Sequence, residues 1–107
     1  MGKAINSKRK GSQGERDIAA ILREHGYADA RRGQQFAGHN GDPDVCGLPN
    51  FHLEVKRVEH LNLGAAFEQS VRDARDGEIP VVVHRRNRKP WMITMRFEDF
   101  LPLLEKE

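Results

Sequence analysis

Two acids and a lysine flank a turn-forming segment near the middle of the chain. Asp44 precedes residues 47–50, Gly-Leu-Pro-Asn, and Glu54 and Lys56 follow them. Gly, Pro and Asn favour chain reversal, and residues 51–57 alternate as a strand does. Antiparallel pairing across the turn would bring Asp44 and Glu54 within roughly 5–8 Å between Cβ atoms. The pattern is consistent with a metal site beside an ammonium group, or with an exposed cross-strand ion pair worth about 0–1 kcal/mol.

Composition limits the class of protein. With 107 residues, the chain can form one domain with one modest core. No apolar run is long enough to span a bilayer, and the first residues are polar and basic rather than those of a signal peptide. The single cysteine, Cys46, cannot form an internal disulfide and is expected to be a small buried strand residue. We therefore expect a cytoplasmic protein, in a bacterial, archaeal or phage-infected cell.

Positive charge is segregated along the chain, although the net charge is only +2. Segments 1–10 and 84–96 and the Arg31–Arg32 pair contain cations and no acid, whereas the segment from residue 97 onward is mainly acidic. For any one cluster, a solvated surface is an adequate explanation. Three such clusters in so short a chain favour a polyanionic partner, and nucleic acid in particular.

Apolar periodicity and turn residues predict eight elements: helix, strand, strand, strand, helix, strand, strand, helix. The first helix begins at Ser12, in a capping box with Glu15, and ends at Gly26. The second helix runs from about Asn62 to Gly77. The segments are expected at 12–26 (helix), 27–31 (strand), 42–46 and 51–57 (hairpin), 62–77 (helix), 79–83 and 91–95 (strands) and 97–104 (helix).

The motif Pro43-Asp44 followed by Glu54-Val55-Lys56 resembles the signature of the PD-(D/E)XK nuclease superfamily. The chain is most similar to small archaeal and phage-type Holliday junction resolvases, and the resemblance covers residues 10–104. It implies an α/β fold with a restriction-endonuclease-like core, in which helices flank a mixed central sheet. Residues 1–10 would be a flexible basic tail, and residues 11–107 a single nuclease domain.

The resemblance also implies a site and an activity. Asp44, Glu54 and the Val55 carbonyl would hold Mg²⁺, with Mn²⁺ expected to substitute, and Lys56 would stabilise charge on the phosphate. A glutamate of the first helix, here Glu15, would add a carboxylate, and Gln69 of the second helix would help to form the active site. The activity would be metal-dependent cleavage of branched or junction DNA, in recombination, repair or phage DNA processing, by a homodimer. The expected DNA contacts are Lys8, Arg9, Lys10, Arg32, Gln35, Arg85, Arg86, Arg88 and Lys89.

Other interpretations remain open at this stage. Glu15 could be only a helix cap. Asp42 lies two residues before Asp44, on the same face of the strand, and could replace Asp44 as a ligand. Gly14, a poor residue inside a helix, suggests close approach of the backbone to a partner. His52 lies on the face of Glu54 but is interpreted as a bystander. The chain as a whole could also be a nucleic-acid-binding module that has lost activity, or a phage regulatory protein whose basic patches bind another protein.

Overall fold

The computed structural model describes residues 3–34 and 42–105. Over these residues the chain forms one five-stranded sheet with helices packed on it, in the predicted order of elements. The fold is therefore α/β, as predicted, with the mixed sheet of a restriction-endonuclease-like core. The elements are α1 (Lys3–Glu24), β1 (Arg31–Arg32), β2 (Val45–Cys46), β3 (Phe51–Arg57), α2 (Leu63–Asp73), β4 (Ile79–Arg85), β5 (Met92–Thr94), α3 (Phe97–Phe100) and a final 3₁₀ turn (Leu101–Leu104).

The sheet order β1-β2-β3-β4-β5 follows the chain, and one neighbouring pair is parallel. β2 and β3 form the predicted antiparallel hairpin, in which Val45 pairs with Leu53. Gly47 makes the reversal possible, because its φ is +100° and a Cβ there would lie 2.6 Å from the backbone of Ala30. β3 and β4 run parallel with α2 as the crossover between them.

Helix α1 covers one face of the sheet. Ile18 and Ala19 pack there against Leu53, Val55 and their strand neighbours in a buried apolar cluster. Gly14 allows the close approach, since a Cβ at this position would lie 3.3 Å from Trp91 and 3.4 Å from Val55. The partner that Gly14 approaches is thus the protein's own sheet, and the expectation of an external one is corrected. Trp91 is half-buried against this cluster.

Helix α2 packs mainly on β4 and leaves a polar strip of β3 buried beneath it. Its start is as predicted: Asn62 is the N-cap, and its Oδ1 accepts the Ala65 N–H at 3.1 Å. Ala66 and Ser70 are its buried residues. Ala66 and Ser70 are not part of the apolar cluster under α1, and neither are Pro80 and Val82 of β4. In the parallel pairing, Pro80 lies beside His52 and Val82 lies beside Glu54. The even-numbered residues of β3 therefore face α2.

The structure corrects several sequence predictions of element bounds, including the first hairpin strand, which is Val45–Cys46 alone, and β4, which extends to Arg85 rather than to residue 83. Helix α1 begins at Lys3, so Ser12 lies well inside the helix and the predicted capping box is wrong. The predicted strand at 27–31 is mostly a turn, because the Ala30 N–H bonds to the Tyr27 carbonyl at 3.0 Å. α2 ends at Asp73 rather than Gly77, and β5 is shorter than predicted. Cys46 is half-buried. The division into tail and domain at residue 10 stays a prediction.

Candidate active site

The hairpin brings Asp44 beside Glu54. One residue beyond the Val45–Leu53 pair, the Asp44 N–H donates to the Leu53 carbonyl at 2.9 Å. Since β2 begins only at Val45, the edge of β3 beyond Glu54 is open to side chains. The Asp44 side chain occupies this open edge, where its Oδ2 accepts a hydrogen bond from the Val55 N–H at 2.8 Å. The acid is thereby fixed against the Glu-Val-Lys strand, as the spacing of the motif predicts.

Burial and neighbouring acids perturb Asp44. Burial raises the pKa of its carboxyl most strongly, the charge of Glu54 and a weaker one from Glu15 raise it further, and the Val55 N–H opposes them, giving a pKa of about 7. A hydrogen bond between the carboxyls of Asp44 and Glu54 also contributes to this shift. Two carboxyls in contact and partly shielded from water are a site that favours a cation, because a cation removes their repulsion.

The chemistry of these groups fits Mg²⁺. This ion takes oxygen ligands and needs only one or two carboxylates, with water and phosphate completing its shell. Among residues 3–34 and 42–105, no group of three His, Cys, Asp or Glu side chains is arranged to hold a metal. The described structure thus supplies the Asp44–Glu54 pair and not the three-carboxylate set that includes Glu15.

Lys56 completes the motif on the same strand. It is half-buried, lies on the even-numbered face with Glu54, and its neighbour in β4 is His84. Burial lowers the pKa of His84, whose Nε2 lies 3.0 Å from Thr94 Oγ1. Within the described part of the chain, the Lys56 amine has no hydrogen-bond or ion-pair partner. Its charge is therefore available to an anion.

Comparison with protein families agrees with this geometry. A family model described as "Phage putative PDDEXK endonuclease" matches residues 6–106. The chain belongs to this family. The match includes all of the acids and the lysine discussed above. No curated protein and no solved structure matches the chain. Among the described residues, no helix is long and apolar enough to cross a membrane.

In this PDDEXK chain, His52 contacts the motif acid Glu54, a contact that the sequence did not indicate. Only 2% of His52 is exposed. Its Nε2 lies 2.7 Å from Glu54 Oε2, and its Nδ1 lies 3.3 Å from Glu78 Oε1 without the alignment of a hydrogen bond. Burial acts to lower the pKa of His52, but the hydrogen bond to Glu54 and the charges of both glutamates outweigh it and raise the pKa. His52, interpreted from the sequence as a bystander, thus contacts the motif acid directly, and its role in the chemistry stays a prediction.

Glu15 lies near the acidic pair but is held by a cation. The charge of Glu15 contributes to the raised pKa of Asp44, while its Oε1 accepts a hydrogen bond from Arg32 Nε at 2.9 Å. Arg32 Nη2 also lies 3.5 Å from Ser12 Oγ. Arg32, expected to contact DNA, therefore pairs with the candidate third acid. This ion pair competes with both predicted roles, metal binding by Glu15 and DNA binding by Arg32.

Asp42 and Gln69, two weaker candidates, lie apart from the acidic pair. Asp42 Oδ2 accepts the Gln34 N–H at 3.1 Å, and its Oδ1 lies 3.8 Å from Arg75. Gln69 is exposed, because α2 turns Ala66 and Ser70 toward the sheet. The hydrogen bond to Val55 thus favours Asp44 rather than Asp42 as the strand acid, and the role of Gln69 stays a prediction.

The basic residues of the turn after β4 line two different cavities. Arg86 and Lys89 line one of about 660 Å³, together with His60 and Asn62. Arg88 lines another, of about 530 Å³, together with Arg57, and Arg85 lines both. The sequence interpretation missed Arg57, although the residue directly follows the motif lysine. Gln35 and the side chains of Lys8, Arg9 and Lys10 lie outside the described residues.

Proposed function

We propose that this protein is a Mg²⁺-dependent endodeoxyribonuclease that cleaves branched DNA. The observation that carries the proposal is the hairpin pairing that sets Asp44 beside Glu54 at the edge of β3, with Asp44 fixed by the Val55 N–H at 2.8 Å. A surface ion pair would set opposite charges side by side. Two partly buried carboxyls, with a pKa of Asp44 near 7, instead require a cation to be stable when both are ionised.

In the proposed mechanism, Asp44, Glu54 and the Val55 carbonyl hold the ion. When bound, Mg²⁺ supplies a Lewis acid that activates water and offsets charge developing on the phosphate. His52 engages Oε2 of Glu54 at 2.7 Å and would hold this carboxylate in place as a ligand. Lys56 presents its ammonium on the same strand face and stabilises the anionic phosphate in the transition state. Mn²⁺ should substitute, because it takes the same oxygen ligands.

The preference for branched DNA is proposed from charge and size. Residues 3–34 and 42–105 form one unit around a single sheet, and we propose that its selectivity comes from DNA shape through phosphate contacts. Cutting both strands of a junction requires two sites, which a two-fold dimer supplies. Large apolar side chains are exposed around β5 and the C-terminal helices, where a second copy could cover them: Met92, Ile93, Phe97, Phe100, Leu101, Leu103 and Leu104.

The test is cleavage by the purified full chain on a panel of four-way junction, flap, nicked and linear duplex DNAs. We expect cutting with Mg²⁺ or Mn²⁺, none with EDTA, and a faster rate on branched substrates than on linear duplex. Absence of metal-dependent cutting on every substrate would contradict the enzymatic proposal. Equal rates on branched and linear DNA would contradict only the structural preference.

A further inference from the structure

The ends of β3 and β4 line an open surface cavity of about 530 Å³ with a mainly basic lining. Its lining residues are Arg57, Glu59, Arg85, Asn87 and Arg88. The single acid does not neutralise the guanidinium groups. Glu59 Oε2 accepts the backbone N–H of Asn87 at 2.6 Å, and within the described residues it forms no ion pair with any of the three arginines. The cavity therefore carries an excess of positive charge.

The arginines are held in place with donors unused. Arg85 lies over the Trp91 ring, 5.5 Å from its centroid, and its Nε donates to the Arg86 carbonyl at 3.4 Å, which fixes the guanidinium and leaves its Nη groups without a hydrogen-bond partner among the described residues. Arg57 is half-buried, and its Nε is a buried donor with no acceptor among the described residues. A buried donor without a partner destabilises a fold. A bound anion would satisfy it.

Arg88 occupies a backbone position that arginine does not favour. The Lys89 N–H bonds to the Arg86 carbonyl at 3.1 Å, which closes a turn with Arg88 at its third position. The φ of Arg88 is +64°, where glycine or asparagine is usual. The side chain of Arg88 contributes to the cavity lining. An unfavourable backbone conformation in a residue that lines a basic cavity suggests that the side chain has a binding role.

We infer that Arg57, Arg85 and Arg88 form a pocket for a single backbone phosphate of DNA. Guanidinium groups bind phosphate oxygens through paired N–H donors, and three of them around one cavity suit the tetrahedral, singly charged phosphodiester of a DNA backbone. Arg57 follows Lys56 in β3, but successive side chains of a strand alternate and Arg57 faces α1, as its proximity to Gly14 shows, so the bound phosphate is a different one from the phosphate that is cut. The inference rests on the proposed function for the identity of the ligand, and it separates this pocket from Arg86 and Lys89, which line the neighbouring cavity.

The experiment is a salt titration of duplex DNA binding, in EDTA, by the full chain and four variants. These are Arg57→Gln, Arg88→Gly, the double variant of both, and Arg72→Gln as a control of equal charge change on the exposed surface of α2. Each phosphate contact contributes about 0.9 to the slope of log K against log salt. We expect each single variant at the pocket to bind about tenfold more weakly. The slope of log K against log salt should fall by about 0.9 in each single variant. The double variant should also lose only about 0.9, because both arginines bind the same phosphate.

Melting temperatures separate this result from misfolding. Arg88→Gly should melt no lower than wild type, because glycine accepts the positive φ, yet it should lose DNA affinity. Two outcomes would overturn the pocket: an unchanged slope in a folded Arg57→Gln variant, or a slope loss of about 1.8 in the double variant, which would mean two separate phosphates. If wild type cuts no DNA while these slopes change as expected, the pocket stands and the nuclease proposal fails.

Discussion

His52 Nε2 lies 2.7 Å from Glu54 Oε2, beneath α2 and almost entirely out of water. The contact connects the acid of the Glu-Val-Lys motif to Glu78, whose Oε1 lies 3.3 Å from the other imidazole nitrogen. The hydrogen bond from His52 restrains the Glu54 carboxylate, which is the candidate ligand, while Glu78 adds negative charge beside the imidazole and its Oε1 accepts the Arg75 N–H at 2.8 Å. His52 is thus a positioning residue for Glu54.

Replacing His52 tests this role. His52→Ala should weaken the apparent affinity for Mg²⁺ in cleavage by about 10–100-fold, as loss of a partner to a metal ligand typically does. DNA binding in EDTA should change little. His52→Gln, which keeps a donor near the position of Nε2, should recover much of the Mg²⁺ affinity. The measurement is cleavage rate against Mg²⁺ concentration, and a wild-type Mg²⁺ dependence in a folded His52→Ala variant would rule the role out.

The pKa of Asp44 predicts a dependence of stability on pH. Its folded value of about 7 lies above the unfolded value of 3.8, so the folded state binds the proton more tightly. The contribution of this group to stability is therefore present at low pH and is lost as the pH rises from about 4 to about 7. In EDTA, Asp44→Asn should melt above wild type at pH 8, and the difference should shrink at pH 5. The matched control is Asp42→Asn.

Mg²⁺ gives the complementary result. At pH 8, Mg²⁺ should raise the melting temperature of wild type and have little effect on Asp44→Asn, because a ligand that binds only the folded state stabilises it. A similar rise in both proteins would place the ion at another site. A lower melting temperature for Asp44→Asn than for wild type in EDTA would mean that the acidic pair is not strained.

Much of this architecture could be predicted from the sequence, because it depends on local signals. Alternation in residues 51–57 and the turn at 47–50 determine the hairpin, and the hairpin alone places Asp44 beside Glu54. The start of α1 was mispredicted, because a plausible capping box at Ser12 lies within a longer helix. The roles of His52 and Arg57 depend on contacts with Glu78 and with the turn after β4. Such long-range contacts leave no signal in local periodicity.

Glu15 can be tested against its ion pair with Arg32. Glu15→Gln removes the charge, and the loss of a partly exposed pair should cost only about 0–1 kcal/mol of stability. If Glu15 joins the metal site, the cleavage rate with Mg²⁺ should fall at least about tenfold while melting is nearly unchanged. Arg32→Gln is the matched variant, and it should weaken DNA binding rather than metal affinity. Unchanged cleavage by Glu15→Gln would leave Glu15 only as the partner of Arg32.

The exposed apolar surface predicts the interface of the proposed dimer. Phe97 is 71% exposed, and Ile93 is 60% exposed. If a second copy covers them, Phe97→Glu should convert the dimer to a monomer in sedimentation and abolish paired cuts at a junction, while single cuts persist. Val71→Glu, on the exposed surface of α2, is the control. A wild-type protein that sediments as a monomer at micromolar concentration would exclude this interface.

The most direct test of the metal-nuclease account is single-turnover cleavage of junction DNA by wild type, Asp44→Asn, Glu54→Gln and Asp42→Asn. Removing a carboxylate from a two-carboxylate site should abolish metal-dependent catalysis, whereas DNA affinity rests on phosphate contacts. We predict no detectable Mg²⁺-dependent cleavage by Asp44→Asn and Glu54→Gln, with DNA binding within a few-fold of wild type, and near-normal cleavage by Asp42→Asn. Cleavage at a wild-type rate by Asp44→Asn or Glu54→Gln would contradict the assignment of the active site.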